Sequence, residues 1–140
     1  MRRLTVFFMI LCLSLWAGVS AARDSDKEKA AIMAAGEWLS LVDSGNYEQS
    51  WKEASEYFRN AISEEQWAQA LKAVRPPLGQ LVSRKVTSAS YMTALPGAPD
   101  GEYVVIQYQS SFGNKKSAVE TVTPMLDQDG VWRVSGYFIR

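Results

Sequence analysis

The side chains that could carry chemistry in this sequence are one strand carboxylate and a few tyrosines. Glu120 lies in SAVETVTPML, an alternating segment that predicts a strand. If Ala118 and Val122 face the core, Glu120 does as well, because alternate residues share a face. The face carrying Val119 and Thr121 is an equally good candidate for the buried one. A carboxylate in an apolar interior has its pKa raised by desolvation and can act as a base.

A base of this kind would need a partner that stabilises a developing oxyanion, and a tyrosine hydroxyl can do so. Ketosteroid isomerase combines a carboxylate base with a tyrosine in this way. The alternative is that Glu120 is solvated on the outer face or forms a salt bridge with Arg84 or Arg133. The tyrosines that could serve the enzyme hypothesis are Tyr91, Tyr108 and Tyr137.

Most other site chemistries lack the residues they need. The chain has no histidine, and its one cysteine, Cys12, lies in the segment that we predict to be removed. Zinc, haem and iron–sulfur ligation by these residues, and histidine-dependent hydrolysis, are therefore excluded for the mature chain. The DQDG segment predicts a hairpin turn, because a calcium loop starting at Asp127 would need glutamate where Phe138 stands. We expect no cofactor and no metal.

The N-terminal segment predicts export. Arg2 and Arg3 precede a nearly continuous apolar run, residues 4–18, and small residues then allow a cut after Ala21 or Ala22. This is the layout of a secretory signal peptide, residues 1–21. The run is shorter than the roughly 20 residues that span a bilayer, so we expect no stable membrane anchor after cleavage. We predict the general secretion route and a periplasmic or extracellular location.

The charge of the mature chain argues against nucleic-acid binding. Arg2 and Arg3 are two of the 15 basic residues, so 13 remain against 15 acidic ones and the net charge is −2. Binding a phosphate backbone requires a concentrated positive field, whereas the basic residues here are scattered. No nucleic-acid partner is expected.

Three helices are predicted after a charged lead, residues 22–29, that we expect to be flexible. The first helix ends at Gly45, because glycine readily takes the left-handed conformation of a helix end. Asn46 is predicted to cap the second helix, with Gln49 reaching back to it. In the third, SEEQ from Ser63 to Gln66 is a capping box, Trp67, Leu71 and Val74 form the apolar stripe, and Pro76 and Pro77 end the helix.

The C-terminal half predicts four strands joined as a meander, because the apolar period changes to two from Leu81 onward. Turn signals separate the strands at residues 96–101, 113–114 and 127–130. Helices followed by strands indicate an α+β fold. We therefore expect one domain, residues 30–140, in which three N-terminal helices pack on a curved, cone-like, four-stranded antiparallel sheet.

The large aromatic residues recur at helical and strand spacings. This periodicity favours core packing, although a helix can line a pocket and a core together. The residues predicted to converge on the interior, and to line any pocket there, are Trp38, Trp51, Phe58, Trp67, Tyr108 and Trp132.

Several motifs together resemble the bacterial domain of unknown function 4019 family over nearly the whole mature chain. They are WLSLVDSGNYEQSW, RPPLG, LPGAPDGEYVVIQYQSSF, AVETVT and DGVWRVSGYFIR. More distantly, Asp-x-Gly at a helix end and Asp-Gly-x-Trp-Arg-Val in a final strand resemble the nuclear transport factor 2-like, cystatin-like superfamily. That resemblance implies a strongly curved sheet closing as a cone. The superfamily hosts enzymes, ligand-binding proteins and dimerisation modules, so it does not assign a function.

The sequence therefore favours a small exported domain that acts as a non-catalytic binding or interaction module. Its partner would be a small apolar molecule held between helices and sheet, another protein, or a second copy of the chain. Two alternatives stay open. One is a cofactor-free enzyme with Glu120 as the base and a tyrosine as the oxyanion donor, and the other is a structural envelope protein without a ligand pocket.

Overall fold

The helices precede the strands, as expected for an α+β domain. The computed structural model describes the backbone of residues 16–140 and the side chains of residues 23–140. The signal-peptide prediction concerns residues that lie mostly outside this range. The elements are α1 (Trp16–Asp43), α2 (Tyr47–Lys52), α3 (Glu56–Ala61), α4 (Glu64–Leu78), β1 (Leu81–Met92), β2 (Tyr103–Phe112), β3 (Lys115–Leu126) and β4 (Trp132–Ile139).

The four strands form one antiparallel sheet in the order β1-β2-β3-β4, which confirms the predicted meander. Over the described residues β1 and β4 are the two edges and do not pair with each other, so the sheet is open. The helices cover one face of the sheet, and α1 contacts all four strands. None of the helices in the described residues has the length and apolarity needed to cross a membrane.

The prediction of three helices was wrong, since the described residues contain four. The predicted second helix is interrupted before Ser55, and its two halves become α2 and α3. Ser55 is fully buried, caps α3 by accepting a hydrogen bond from the Phe58 N–H, and donates its own N–H to the Val134 carbonyl of β4. This bond to a distant strand replaces a bond within the helix, which explains the break.

The start of the first helix also differs from the expectation. Residues 22–29, predicted to be a flexible lead, lie within α1. Lys27 in this part of α1 donates hydrogen bonds to Tyr91 on β1 and to Glu102 beside β2. The lead has no apolar face of its own, so the contacts with the sheet, which the sequence pattern does not show, account for its position.

The helix ends match the local signals in part. Gly45, with φ of 79°, ends α1, and the Gly45 and Asn46 N–H groups bond back to the carbonyls of Val42 and Leu41. The predicted Asn46 side-chain cap was wrong, because no such bond forms. The capping box of Ser63 and Gln66 is confirmed.

The prolines do not end α4 where the sequence predicted. Pro76 and Pro77 lie inside its last turn, and the helix continues to Leu78. Asn114, in the turn between β2 and β3, donates its side-chain amide to the Pro77 carbonyl and its backbone N–H to the Leu78 carbonyl. Donors from a hairpin that is distant in sequence therefore satisfy the carbonyl groups at this helix end. The prediction that proline ends the helix does not take such donors into account.

Candidate functional site

The structure resolves which face of β3 is buried. Ala118, Glu120 and Val122 are 2%, 0% and 0% exposed and lie on the core face. Glu120 is opposite Tyr108 on β2 and Ile139 on β4. The strand thus carries a carboxylate into the interior, which is the first of the two alternatives that the alternating pattern allowed.

Both carboxylate oxygens of Glu120 accept hydrogen bonds. Arg84 on β1 donates Nε to Oε1 at 2.7 Å and Nη2 to Oε2 at 3.1 Å. Ser110 on β2 donates its hydroxyl to Oε1 at 2.5 Å, and Tyr137 on β4 donates its hydroxyl to Oε2. Of the proposed salt-bridge partners, Arg84 is the actual one, whereas Arg133 pairs with Asp127 and Asp129.

A second carboxylate extends this cluster toward the helices. Asp43, the last residue of α1, accepts Arg84 Nη1 at 2.7 Å and Arg84 Nη2 at 2.9 Å. Arg75, in the last turn of α4, donates Nη2 to Asp43 at 2.8 Å. We call Asp43, Arg75, Arg84 and Glu120 the inner charge network. It contains two cations and two carboxylates, so its formal charge is zero.

The hydrogen bonds of the network favour the charged forms of Asp43 and Arg84. Burial alone would raise the pKa of Asp43, but hydrogen bonds from Arg84 and Arg75 outweigh it and hold this pKa below its usual value. Burial opposes the charge of Arg84, yet its bonds to Asp43 and Glu120 raise its pKa above the normal range. Burial, and then the charge of Glu120, raises the pKa of Tyr137.

This geometry limits what Glu120 can do chemically. A general base must reach the proton that it removes with a free oxygen lone pair. Glu120 has no exposed surface and accepts from three side chains, one of which is a guanidinium. The arrangement suits a carboxylate that holds β1, β2, β3 and β4 together better than one that turns over a substrate.

Of the three tyrosine candidates, Tyr108 and Tyr137 lie beside Glu120 and Tyr91 does not. Tyr137 contacts Glu120, whereas the Tyr108 hydroxyl is buried and has no hydrogen-bond partner among the described residues. Burial raises the pKa of Tyr108 to about 12. Tyr91 lies elsewhere and donates its hydroxyl to Glu102 at 2.7 Å.

Tyr91 belongs to a separate charged cluster near the surface. Lys27 donates to Glu102 at 2.6 Å and to the Tyr91 hydroxyl at 3.2 Å, and its ammonium lies 4.6 Å from the centre of the Tyr91 ring. We call Lys27, Tyr91 and Glu102 the surface charge network. The hydrogen bond from Lys27 lowers the pKa of Glu102, and the bond to Glu102 raises the pKa of Lys27.

The aromatic candidates do converge on the core. Trp38 and Trp67 have ring centres 6.1 Å apart, and Phe58 meets Trp67 edge-on at 4.9 Å. Tyr108 belongs to the same buried cluster, and Trp51 and Trp132 are partly buried against it. Their rings thus form part of the packed interior.

Ser50 on α2 is a polar residue at the centre of this cluster that the sequence pattern did not single out. It is fully buried, and its carbonyl accepts the Trp38 indole N–H at 2.8 Å while its hydroxyl accepts that of Trp67 at 2.9 Å. Buried indole N–H groups need acceptors. A small polar residue one position before Trp51 on an aromatic helix is the signal that could have identified it.

A surface groove opens between α1, the end of α2 and the start of β4. Its volume is about 440 Å³, and we call it the tryptophan groove. Of the six predicted pocket residues, only Trp38 and Trp132 line it. Its complete lining is Ala34, Glu37, Trp38, Leu41, Lys52, Glu53, Val131, Trp132, Arg133 and Val134.

Sequence reasoning missed the place of Arg75 in the inner charge network. The helical stripe was predicted as Trp67, Leu71 and Val74, but Val74 is 47% exposed and Arg75 is 5% exposed. Arg75 and Val74 are both at helical spacing from Leu71, so spacing alone does not separate them. Val74 was predicted to be buried because it is the more apolar of the two residues. In the structure Arg75 is buried instead, where it pairs with Asp43.

Among the side chains that the structure describes, those of residues 23–140, no group of three or more acidic, histidine or cysteine residues is arranged to hold a metal ion.

Comparison with known proteins gives one family result. The model of a family described as "Protein of unknown function (DUF4019)" matches residues 34–137. A search of curated proteins gives no match.

Proposed function

Because the chain belongs to the DUF4019 family of proteins of unknown function, which assigns no activity, we propose its function from the geometry: a non-catalytic module that binds a small apolar molecule in the tryptophan groove. The observation that carries this proposal is a groove of about 440 Å³ whose walls include Trp38 and Trp132. Ligand sites are concave and lined mostly by apolar and aromatic side chains with a few polar groups.

The walls of the groove favour a flat, apolar ligand. Trp38 and Leu41 of α1 form one wall, and Val131 and Trp132 form the other. Val131 is 45% exposed, so covering it would remove apolar surface from water. Trp38 is only 4% exposed, so Trp132, which is half-buried, presents the indole surface at which a planar molecule can stack.

The rim of the groove carries both signs of charge. Glu37 and Glu53 lie on the helix side together with Lys52, and Arg133 lies on the strand side. Arg133 is already held by Asp127 and Asp129 at 3.0 and 2.9 Å. The lining itself contains two acidic and two basic side chains, so a ligand without net charge fits it best.

The test uses the neutral fluorescent probe N-phenyl-1-naphthylamine. We expect saturable binding to the wild-type protein, and Ala34→Phe should abolish most of it by filling the groove without removing a contact. Trp132→Ala should weaken binding by about tenfold, the loss of an aromatic contact. Phe138→Ala is the matched control, because Phe138 is an exposed aromatic residue outside the groove lining. Equal binding by all three variants would refute the proposal.

The alternatives have less support. The enzyme hypothesis requires a substrate to reach Glu120, which is sealed by Arg84, Ser110 and Tyr137. A structural envelope protein would need no groove of ligand size. A protein partner or a second copy of the chain remains an outcome of the same test, since either would compete with the probe for the groove.

Export and a cone-like shape are parts of this proposal. The layout of residues 1–21 supports secretion through the general route to the periplasm or the exterior. Register shifts in all three strand pairs support a curved sheet, because bulges bend strands and increase their twist. Such curvature would be consistent with the distant resemblance to the nuclear transport factor 2-like superfamily.

A further inference from the structure

Arg75 has more hydrogen-bond donors than the protein uses. Its side chain is 5% exposed, and Nη2 bonds to Asp43 at 2.8 Å. The guanidinium carbon lies 4.9 Å from the centre of the Phe112 ring, so one face of the group is covered by an aromatic ring. Nε and Nη1 are buried and have no partner among the described residues. Buried polar groups are almost always paired, so these two nitrogens require an explanation.

Carbonyl groups at the ends of α1 and α4, the two helix ends beside Arg75, already accept hydrogen bonds. At the end of α1, the carbonyls of Leu41 and Val42 accept backbone N–H groups. At the end of α4, the carbonyls of residues 76–78 accept from Gly79 and Asn114. Both oxygens of Asp43 also bind Arg84. Arg75 therefore has only its bond to Asp43, beside carbonyl groups that already accept other donors. Arg84, in contrast, donates to the two carboxylates Asp43 and Glu120.

A second groove leads to this site. It has a volume of about 320 Å³ and lies where the C-terminal ends of α1 and α4 meet. We call it the Arg75 groove. Val42, Tyr47 and Pro76 give it apolar walls, and Asp43, Arg75 and Gln80 give it polar ones. It shares no lining residue with the tryptophan groove.

The charges around the Arg75 groove select the class of ligand. The inner charge network is formally neutral, so it offers an anion no excess positive charge. The C-terminal ends of α1 and α4 carry partial negative charge, which opposes an anion. A cation would be repelled by Arg75, whose free groups are all donors. A neutral oxygen acceptor on an apolar body satisfies every one of these conditions.

We propose that the Arg75 groove binds a small neutral molecule through an amide or ketone oxygen, which accepts a hydrogen bond from the free N–H groups of Arg75. Since Nε and Nη1 are covered, binding includes a small shift of the Arg75 guanidinium toward the groove. The apolar part of the ligand then lies against Tyr47 and Pro76. This site is independent of the function proposed for the tryptophan groove.

The test observes the arginine Nε–H signals of the full-length folded protein by ¹H–¹⁵N NMR. The Arg75 signal is assigned as the one missing from Arg75→Lys, with Arg133→Lys as the matched control at a surface arginine. Adding benzamide should move the Arg75 signal in a saturable manner and leave the Arg133 signal in place. Benzoate has the same ring and a negative charge. It should bind about tenfold more weakly, because the partial negative charge at the C-terminal ends of α1 and α4 repels it.

Three results would overturn the proposal. The Arg75 signal could stay in place at every benzamide concentration, benzoate could bind as well as benzamide, or cross-relaxation could show a long-lived water at Nε–H that benzamide does not displace. If Arg75→Lys does not fold, through-bond NMR experiments assign the Arg75 signal in the wild-type protein. Gln80→Trp, which narrows the groove without touching the network, should then remove the benzamide shift. Trp132→Ala should leave that shift unchanged, which separates this site from the tryptophan groove.

Discussion

The inner and surface charge networks contain the same kinds of contact but lie in different surroundings. Arg84 bonds to Glu120 and Asp43 at 2.7 Å, and Lys27 bonds to Glu102 at 2.6 Å. The Arg84 and Glu120 side chains are 12% and 0% exposed, whereas those of Lys27 and Glu102 are 37% and 34% exposed. The donor–acceptor distances alone would not distinguish the two networks.

Exposure makes the two networks energetically different. In the surface network, water and salt screen the charges, and an ion pair of this kind contributes about 0–1 kcal/mol. In the inner network Glu120 has lost its hydration, and Arg84 and Asp43, at 12% and 21% exposed, have lost most of theirs. Each charge therefore depends on its partner, and removing one partner costs much more than forming the pair gains. We therefore expect the free energy of unfolding to depend strongly on the inner network. The surface network should contribute little to it and positions the start of α1.

The largest effect should come from breaking the inner network at Glu120. Glu120→Ala leaves Arg84 and the Tyr137 hydroxyl without their buried acceptor, and we expect a loss of about 3–5 kcal/mol in the free energy of unfolding. Urea denaturation followed by tryptophan fluorescence measures it. The control is the double variant Glu120→Leu with Arg84→Met, which leaves Asp43 and Arg75 as a balanced pair. It should lose less than Glu120→Ala alone, and an equal or larger loss would contradict this account.

An intermediate effect is expected at Asp43, and it should depend on pH. Asp43→Asn should lower the free energy of unfolding by roughly 2 kcal/mol at neutral pH, since it removes charge-assisted hydrogen bonds. The pKa of Asp43 is lower in the folded than in the unfolded state. Its stabilisation is therefore present above the unfolded pKa, about 3.9, and is lost as the pH falls through the folded pKa.

The measurement at Asp43 compares urea unfolding of the wild type and Asp43→Asn at neutral pH and at about pH 3. The difference between the two proteins should shrink in acid. A difference that stays constant or grows toward low pH would show that the pKa of Asp43 is not lowered in the folded protein. Asp100→Asn serves as the control, because Asp100 lies in the turn before β2 and takes no part in either network.

The smallest effect is expected in the surface charge network. Glu102→Gln removes the ion pair with Lys27 but keeps a side chain that can accept hydrogen bonds, so we expect a loss of at most about 1 kcal/mol. Raising the salt concentration to about 1 M should remove most of this difference, because the charges are exposed to solvent. Thermal or urea unfolding at low and high salt tests it. A loss of unfolding free energy as large as that of Glu120→Ala would contradict the expected difference between the two networks.

Local signals predicted a large part of the fold. The capping box at Ser63 and the stop at Gly45 depend on bonds between residues a few positions apart, so the sequence contains all the participants. Alternation predicted the four strands, and short turns between them predicted their order. The break before Ser55 could not be predicted in the same way, because it depends on a bond to Val134.

The candidate site was predictable only as a set of possibilities. The β3 pattern allowed Glu120 on either face, and only packing against Tyr137 and Arg84 placed it inside. Arg75 was misjudged because Val74 is the more apolar of the two residues. The aromatic residues were easier to place, since large apolar side chains at regular spacing have one strongly favoured environment.

The sequence by itself determined the four strands, most helix ends and most of the aromatic interior, because helix caps, turns and apolar periods act between neighbours along the chain. The tertiary structure alone decided that Asp43, Arg84 and Glu120 share one network, since Arg84 is 41 and 36 residues away from its two partners. Strand register and helix docking brought these charges together. Burial of these charges costs free energy, and the hydrogen bonds among them offset that cost. Because those bonds join residues that are distant in sequence, no local pattern encodes them.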